Sequence, residues 1–266
     1  QFETYAIVRK NESNKESKLK TAAAKQGPQA EGQGHLFDKV SSTYKIMSRA
    51  CCNFAWPEPP GRPSLTEKEE LNVAEAVEAA IIVEGGADRD HQEGGETKED
   101  DEGPEASAIA EKNVENESTI QDALDQINKP EYMSHDGLAK YSPKFLEILR
   151  NIQEENHKGN HLVYSSFRTL EGIGILKMVL ENNGFQEFKL VKNQEGEWTI
   201  DGELNPELER FALYTGTEEK EEKEIIRNIY NGAWDAVPPN IVKALEVFDH
   251  EKKRNLMGNI IRVFMI

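Results

Sequence analysis

The chain has 266 residues, with 32 Lys and Arg against 49 Asp and Glu, a formal net charge of −17, and 37% hydrophobic beside 30% charged residues. That is too polar for one compact domain throughout, and no stretch reaches the roughly 18 consecutive apolar residues of a membrane span or the apolar core of a signal peptide, which predicts a soluble, intracellular protein. The charge is uneven: residues 1–60 sum to +3, residues 61–130 to −14 and residues 131–266 to −6.

In chain order, residues 1–60 read as a connector with a short helical segment. Residues 9–34 carry Lys, Glu, Ser, Gln and Gly without an apolar face; the composition allows a solvated helix, and a flexible tether is the expectation. Apolar density rises from Leu36 to Trp56, where Ser41, Ser42 or Thr43 can cap a helix that Pro57 helps end. Cys51 and Cys52 are adjacent, too few for a disulfide framework and wrongly spaced for zinc, so buried, reduced thiols are expected.

Residues 61–119 read as an acidic, low-complexity linker, largely disordered because it cannot bury enough apolar surface to offset chain entropy, although Leu71 to Val83 has helical composition. The Asp101-Glu102 pair has no apolar strand before it and reads as solvated charge.

Residues 120–266 read as an α/β lobe. Ala123, Leu124 and Ile127 recur at helical spacing. Ser142-Pro143 is an N-cap followed by proline at the first helical position, opening a helix with Phe145, Leu146, Ile148, Leu149 and Ile152 on its apolar side. His161 to Tyr164 predicts a strand, Ser165-Ser166 its exit, and Thr169 to Asn183 a helix that Asn183-Gly184 stops. A hairpin is predicted from Phe188–Val191 and Trp198–Ile200 around Asn193–Gly196. Phe211–Tyr214 is the next strand, Thr215-Gly216-Thr217 its exit, and about Glu218 to Asn231 a helix with acids at its positive end. A helix after Pro238-Pro239 and a closing strand from Ile260 complete an alternation that argues for a parallel sheet flanked by helices.

Ligands of open parallel sheets gather beyond the carboxyl ends of the strands. Those ends offer Ser165-Ser166-Phe167-Arg168 and Thr215-Gly216-Thr217: hydroxyls, a glycine that admits close backbone approach, helix N-termini and a guanidinium, which suit a phosphate. The competing reading is that the hydroxyls cap helices and Arg168 pairs with a surface acid.

The block from His161 to Gly172 resembles the fourth helicase motif of superfamily 2 ATPases, in the form carried by nucleocytoplasmic large DNA viruses, relatives of the poxvirus early transcription factor and nucleoside triphosphatase. Phe211–Thr217 resembles the next strand and glycine turn of the same lobe, and Ser41–Phe54 and Ser142–Leu149 resemble its lead-in. The resemblance implies an incomplete RecA-like lobe, the connector and first half of the second lobe of an ATP-dependent helicase, acting in a viral factory, virion or host cytoplasm. It implies nucleic-acid backbone contacts from Ser165, Ser166, Arg168, Thr215 and Gly216, with DNA or RNA and the missing N-terminal lobe as partners.

No Gly-x-x-x-x-Gly-Lys-Ser/Thr loop occurs, so ATP and magnesium are expected to belong to the intact parent and not to this chain, which is expected to be inactive alone. Both ends read as cut, at Gln1 and within the run to Ile266. A non-catalytic α/β module docking on a separate catalytic subunit is the alternative. A small-molecule enzyme lacks its nucleotide loop: Gly172-Ile173-Gly174 falls within a predicted helix, where packing explains it, and His157 and His161 lack a third metal ligand at suitable spacing.

Overall fold

The computed structural model describes residues 1–25, 46–63, 120–167, 170–215, 218–248 and 255–266. Arg168 and Gly216, Thr169 and Thr217, the Leu71–Val83 segment, Asp101-Glu102 and the rest of residues 64–119 lie outside them. The chain divides into two units, residues 7–48 with 56–127, and residues 1–6 and 49–55 with 128–266.

Helix α1, Phe2–Lys25, occupies much of the stretch expected to be a flexible tether. Its sequence has no apolar face, which is why periodicity did not reveal it; Lys, Glu and Ala nevertheless have high helix propensity. In the first unit, Glu12 accepts the Met47 N–H at 2.8 Å and the Ser48 N–H at 3.2 Å. These are the first amides of α2, Ile46–Asn53, where a carboxylate is favoured by the helix dipole. The same unit contains α3, residues 120–127.

The second unit holds α4, Pro130–Met133, α5, His135–Tyr141, and α6, Pro143–Gln153. Ser142 caps α6 as its sequence predicts, accepting the Phe145 N–H at 3.1 Å, and it also donates to the Asn53 carbonyl. Lys144 reaches Asn53 Oδ1 at 2.7 Å, and the Ala55 N–H bonds the Tyr141 carbonyl at 2.8 Å. The segment Arg49–Ala55 is thereby part of the lobe, with Ala50, Cys51 and Phe54 buried. Cys51 follows the expectation of a buried thiol, and burial, with Cys52 and Glu171 nearby, pushes its pKa up. Cys52 does not: on an eight-residue helix with one face against the lobe, it is left exposed.

Among the described residues the sheet has four strands, all parallel, in the order β1-β6-β5-β2: β1, His161–Val163; β2, Phe185–Glu187; β5, Glu209–Leu213; and β6, Val263–Met265. The hairpin of β3, Leu190–Lys192, and β4, Trp198–Ile200, is antiparallel and separate, and Asn193 Oδ1 closes its turn by accepting the N–H groups of Glu195 and Glu197. The predicted strand from Phe188 thus begins at Leu190, and β2 is an additional strand. Its sequence Phe-Gln-Glu buries only Phe185 fully, so it lacks an apolar run.

After β1 the chain makes a wide turn, Leu170–Gly174, before α7, Ile175–Glu181. Glu171 and Gly172 leave helical angles there, so the expected single helix from Thr169 is broken at its start. A Cβ on Gly172 would lie 1.7 Å from the Phe167 carbonyl oxygen, a contact only glycine permits. Gly184, at φ +90°, follows α7 as the expected stop.

Helices α8, Lys220–Tyr230, and α9, Pro239–Leu245, supply Ile225, Ile226, Ile229, Ile241 and Leu245 to a core with Ala212 and Phe264. By strand alternation Phe211, Val263 and Met265, all fully buried, face the other side, and α7 contacts β2 and α6. Both faces of the central strands are covered, as parallel sheets require. The start of β6 is fixed by buried Asn255, which accepts the N–H groups of Ile260 and Ile261 at 2.9 and 3.0 Å, and by buried Arg210, whose Nε donates to the Ile260 carbonyl at 2.7 Å.

Candidate nucleic-acid interface

In a parallel sheet every strand points its carboxyl end to the same edge. Here Val163 and Leu213 flank Met265 in register. The Ile266 N–H donates to the Val163 carbonyl at 2.9 Å, the Ser165 N–H to the Ile266 carbonyl at 2.9 Å, and the Tyr214 N–H to the Met265 carbonyl at 2.8 Å. The exits of β1 and β5 therefore lie on either side of the tip of β6, on one edge. Ser165, Ser166 and Thr215 are brought together there; Arg168 and Gly216 lie outside the described residues.

The side chains at this edge are not equivalent. Ser165 Oγ accepts the Phe167 N–H at 3.2 Å and donates to the Phe167 carbonyl at 3.1 Å, so its hydroxyl closes a local turn. The Phe167 carbonyl also takes the Ile173 N–H at 2.9 Å, tying the strand exit to the wide turn around Gly172. Ser166 has the exposed Arg49 beside it, with Nη2 3.4 Å from its Oγ, and the guanidinium lies over the Phe167 ring, 5.5 Å from the centroid. Arg49 carries no signal in the sequence beyond its place in the Ser41–Phe54 block, because 117 residues separate it from Ser166.

On the β5 side Thr215 donates to Glu218 Oε1 at 2.8 Å, and the Thr215 carbonyl accepts Lys223 Nζ at 3.4 Å. Glu218, Glu219, Glu221 and Glu222 crowd the start of α8. Lys192 meets Glu219 at 2.6 Å and Glu221 at 3.9 Å, and its pKa is raised first by its hydrogen bond to Glu219. Trp198 Nε1 donates to Glu221 at 3.1 Å, so the β3–β4 hairpin is pinned to the acidic helix start. Burial holds the Glu222 carboxyl above its ordinary range. The β1 exit thus has Arg49 beside it, and the β5 exit faces carboxylates at the start of α8.

Among the described residues no group of three or more His, Cys, Asp or Glu with metal-holding geometry occurs. His161 Nε2 contacts the His157 carbonyl at 3.0 Å, and His157 Nδ1 meets Glu154 at 3.2 Å. No helix among the described residues is long and apolar enough to cross a membrane.

A stretch of 94 residues is 32% identical to a protein of Acanthamoeba polyphaga mimivirus that carries the name of an ATP-dependent RNA helicase. The match covers 35% of this chain, which spans 14% of the length of that curated relative. No family model matches the chain, and no solved structure matches it. The likeness supports a helicase-like relationship, and the parallel α/β architecture agrees with part of a RecA-like lobe.

Proposed function

We propose that this chain contributes part of the second RecA-like lobe of an ATP-dependent nucleic-acid helicase or translocase of viral, transcription-associated type, gripping the nucleic-acid backbone at the β1 and β5 exits. The observation that carries this reading is the common edge formed by those exits around Ile266, and the likeness to a protein named as an RNA helicase supports it. In this reading ATP and magnesium belong to the phosphate loop of the partner lobe, and closure of the two lobes shifts the grip on the strand. The residues of this chain bind and orient; they move no atom of the nucleotide.

Grip without many cations is weak, because phosphate neutralisation by Lys and Arg supplies most non-specific affinity. The isolated chain is expected to bind oligouridine or oligothymidine with a dissociation constant of about 1–100 μM at low salt, falling away as salt rises. Fluorescence anisotropy measures this. Nanomolar affinity contradicts the weak backbone grip, and no binding at low salt contradicts the interface itself. A second reading, a module that docks on a separate catalytic subunit, is favoured by Leu162 and Tyr164, 63% and 50% exposed beside the edge of the sheet; it predicts no response to nucleic acid.

A further inference from the structure

We propose that Arg49, a residue outside the β1–α7 segment, is a backbone-phosphate contact of the interface, presented by α2 and oriented by Ser166 and Phe167. This rests on the nucleic-acid reading above and names the cation that the reading otherwise lacks among the described residues of the β1 exit.

Three observations lead to it. Arg49 is exposed, yet its guanidinium is oriented by the Ser166 hydroxyl at 3.4 Å and by the ring of Phe167, itself buried, at 5.5 Å. Among the described residues no carboxylate forms an ion pair with it. A guanidinium has five N–H donors in a planar fork, and among the described residues only the Nη2 contact with Ser166 engages them. Donors remain for a phosphate oxygen, and stacking on an aromatic face leaves the fork edge available.

The platform is fixed. Ala50, Cys51 and Phe54, on the same short segment, are buried, the Asn53 carbonyl takes the Ser142 hydroxyl, and Gln1 Nε2 donates to the Cys51 and Cys52 carbonyls at 3.1 and 3.2 Å. An arginine projected from such a base loses less freedom on binding than one on a loose tether. Charge favours this side as well: the β5 exit faces the carboxylates at the start of α8, so a polyanion crossing the edge is drawn toward Arg49 and Ser166 and away from Glu218.

The test uses the full chain with labelled oligouridine and oligothymidine, titrated across a salt series. Arg49→Ala and Arg49→Met, the second keeping an apolar stem over Phe167, are expected to weaken binding about two- to fivefold, the scale of one exposed charge contact. Each is expected to reduce the slope of log affinity against log salt by about 0.7, the release from one single-strand phosphate. Arg49→Lys restores the slope while recovering only part of the affinity. Thermal melts confirm that the variants are folded, and if Arg49→Ala is not, the Met and Lys variants decide. Binding by the unmodified chain with an unchanged slope in Arg49→Met overturns this inference alone. Absence of binding by the unmodified chain overturns the nucleic-acid reading and this inference with it.

Discussion

Thr215 donates its hydroxyl to Glu218 Oε1 across a distance of 2.8 Å, which sets a carboxylate at the tip of β5. A phosphate reaching Thr215 meets that charge and must compete for the same hydroxyl. Glu218→Gln keeps an acceptor for Thr215 and removes the repulsion. It is expected to tighten oligonucleotide binding about two- to fivefold at low salt, with the gain shrinking as salt screens the edge. Anisotropy titration checks this, and unchanged affinity would take the β5 exit out of the interface.

Ser142 joins two parts of the chain that lie 89 residues apart, capping α6 while donating to the buried carbonyl of Asn53. Ser142→Ala removes an N-cap worth about 1 kcal/mol and strips a buried carbonyl of a donor, a further cost of about 1–3 kcal/mol. The expected loss is roughly 2–4 kcal/mol in urea unfolding, with an unchanged slope against denaturant. A loss below about 0.5 kcal/mol would mean that surface solvation replaces both bonds.

Glu222 is 7% exposed on α8, and burial is the main cause that raises its carboxyl pKa. The folded chain therefore holds this proton more tightly than the unfolded chain does. Its contribution to stability is fully present below the ordinary glutamate pKa and is lost as pH rises through the raised folded value. Glu222→Gln is expected to raise the melting temperature at neutral pH and to leave it nearly unchanged in acid, where both forms are neutral. Melts of variant and parent at the two pH values give the comparison. A variant less stable at neutral pH would show that the ionised carboxylate is well compensated in the fold.

The elements legible in the sequence were those with an apolar run or explicit punctuation. The β1, β5 and β6 strands are short apolar segments, Ser142-Pro143 marks the start of α6, and Asn193 with Gly196 marks the hairpin turn. What escaped has physical reasons. Strand β2 is held by pairing with β5 and by one buried phenylalanine, a pattern too brief for periodicity. The 24-residue helix α1 has no apolar stripe to announce it. The break at Gly172 follows from a close approach to Phe167, which local spacing does not encode. At the proposed interface, Ser165, Ser166 and Thr215 were legible as strand exits because parallel pairing puts such exits on one edge. That Ser165 and Thr215 are engaged locally, and that Arg49 stands beside Ser166, depends on tertiary contacts.

The ends of β1 and β5 form one joint edge of the sheet, the proposed site of backbone grip. Its most direct test is an amide NMR titration of the chain with oligouridine at low salt. The prediction is that shifts concentrate at Ser165, Ser166, Tyr214 and Thr215, with Arg49 alongside. Shifts concentrated instead at the opposite edge, around Asn160, Asn255 and Gly258, would contradict it.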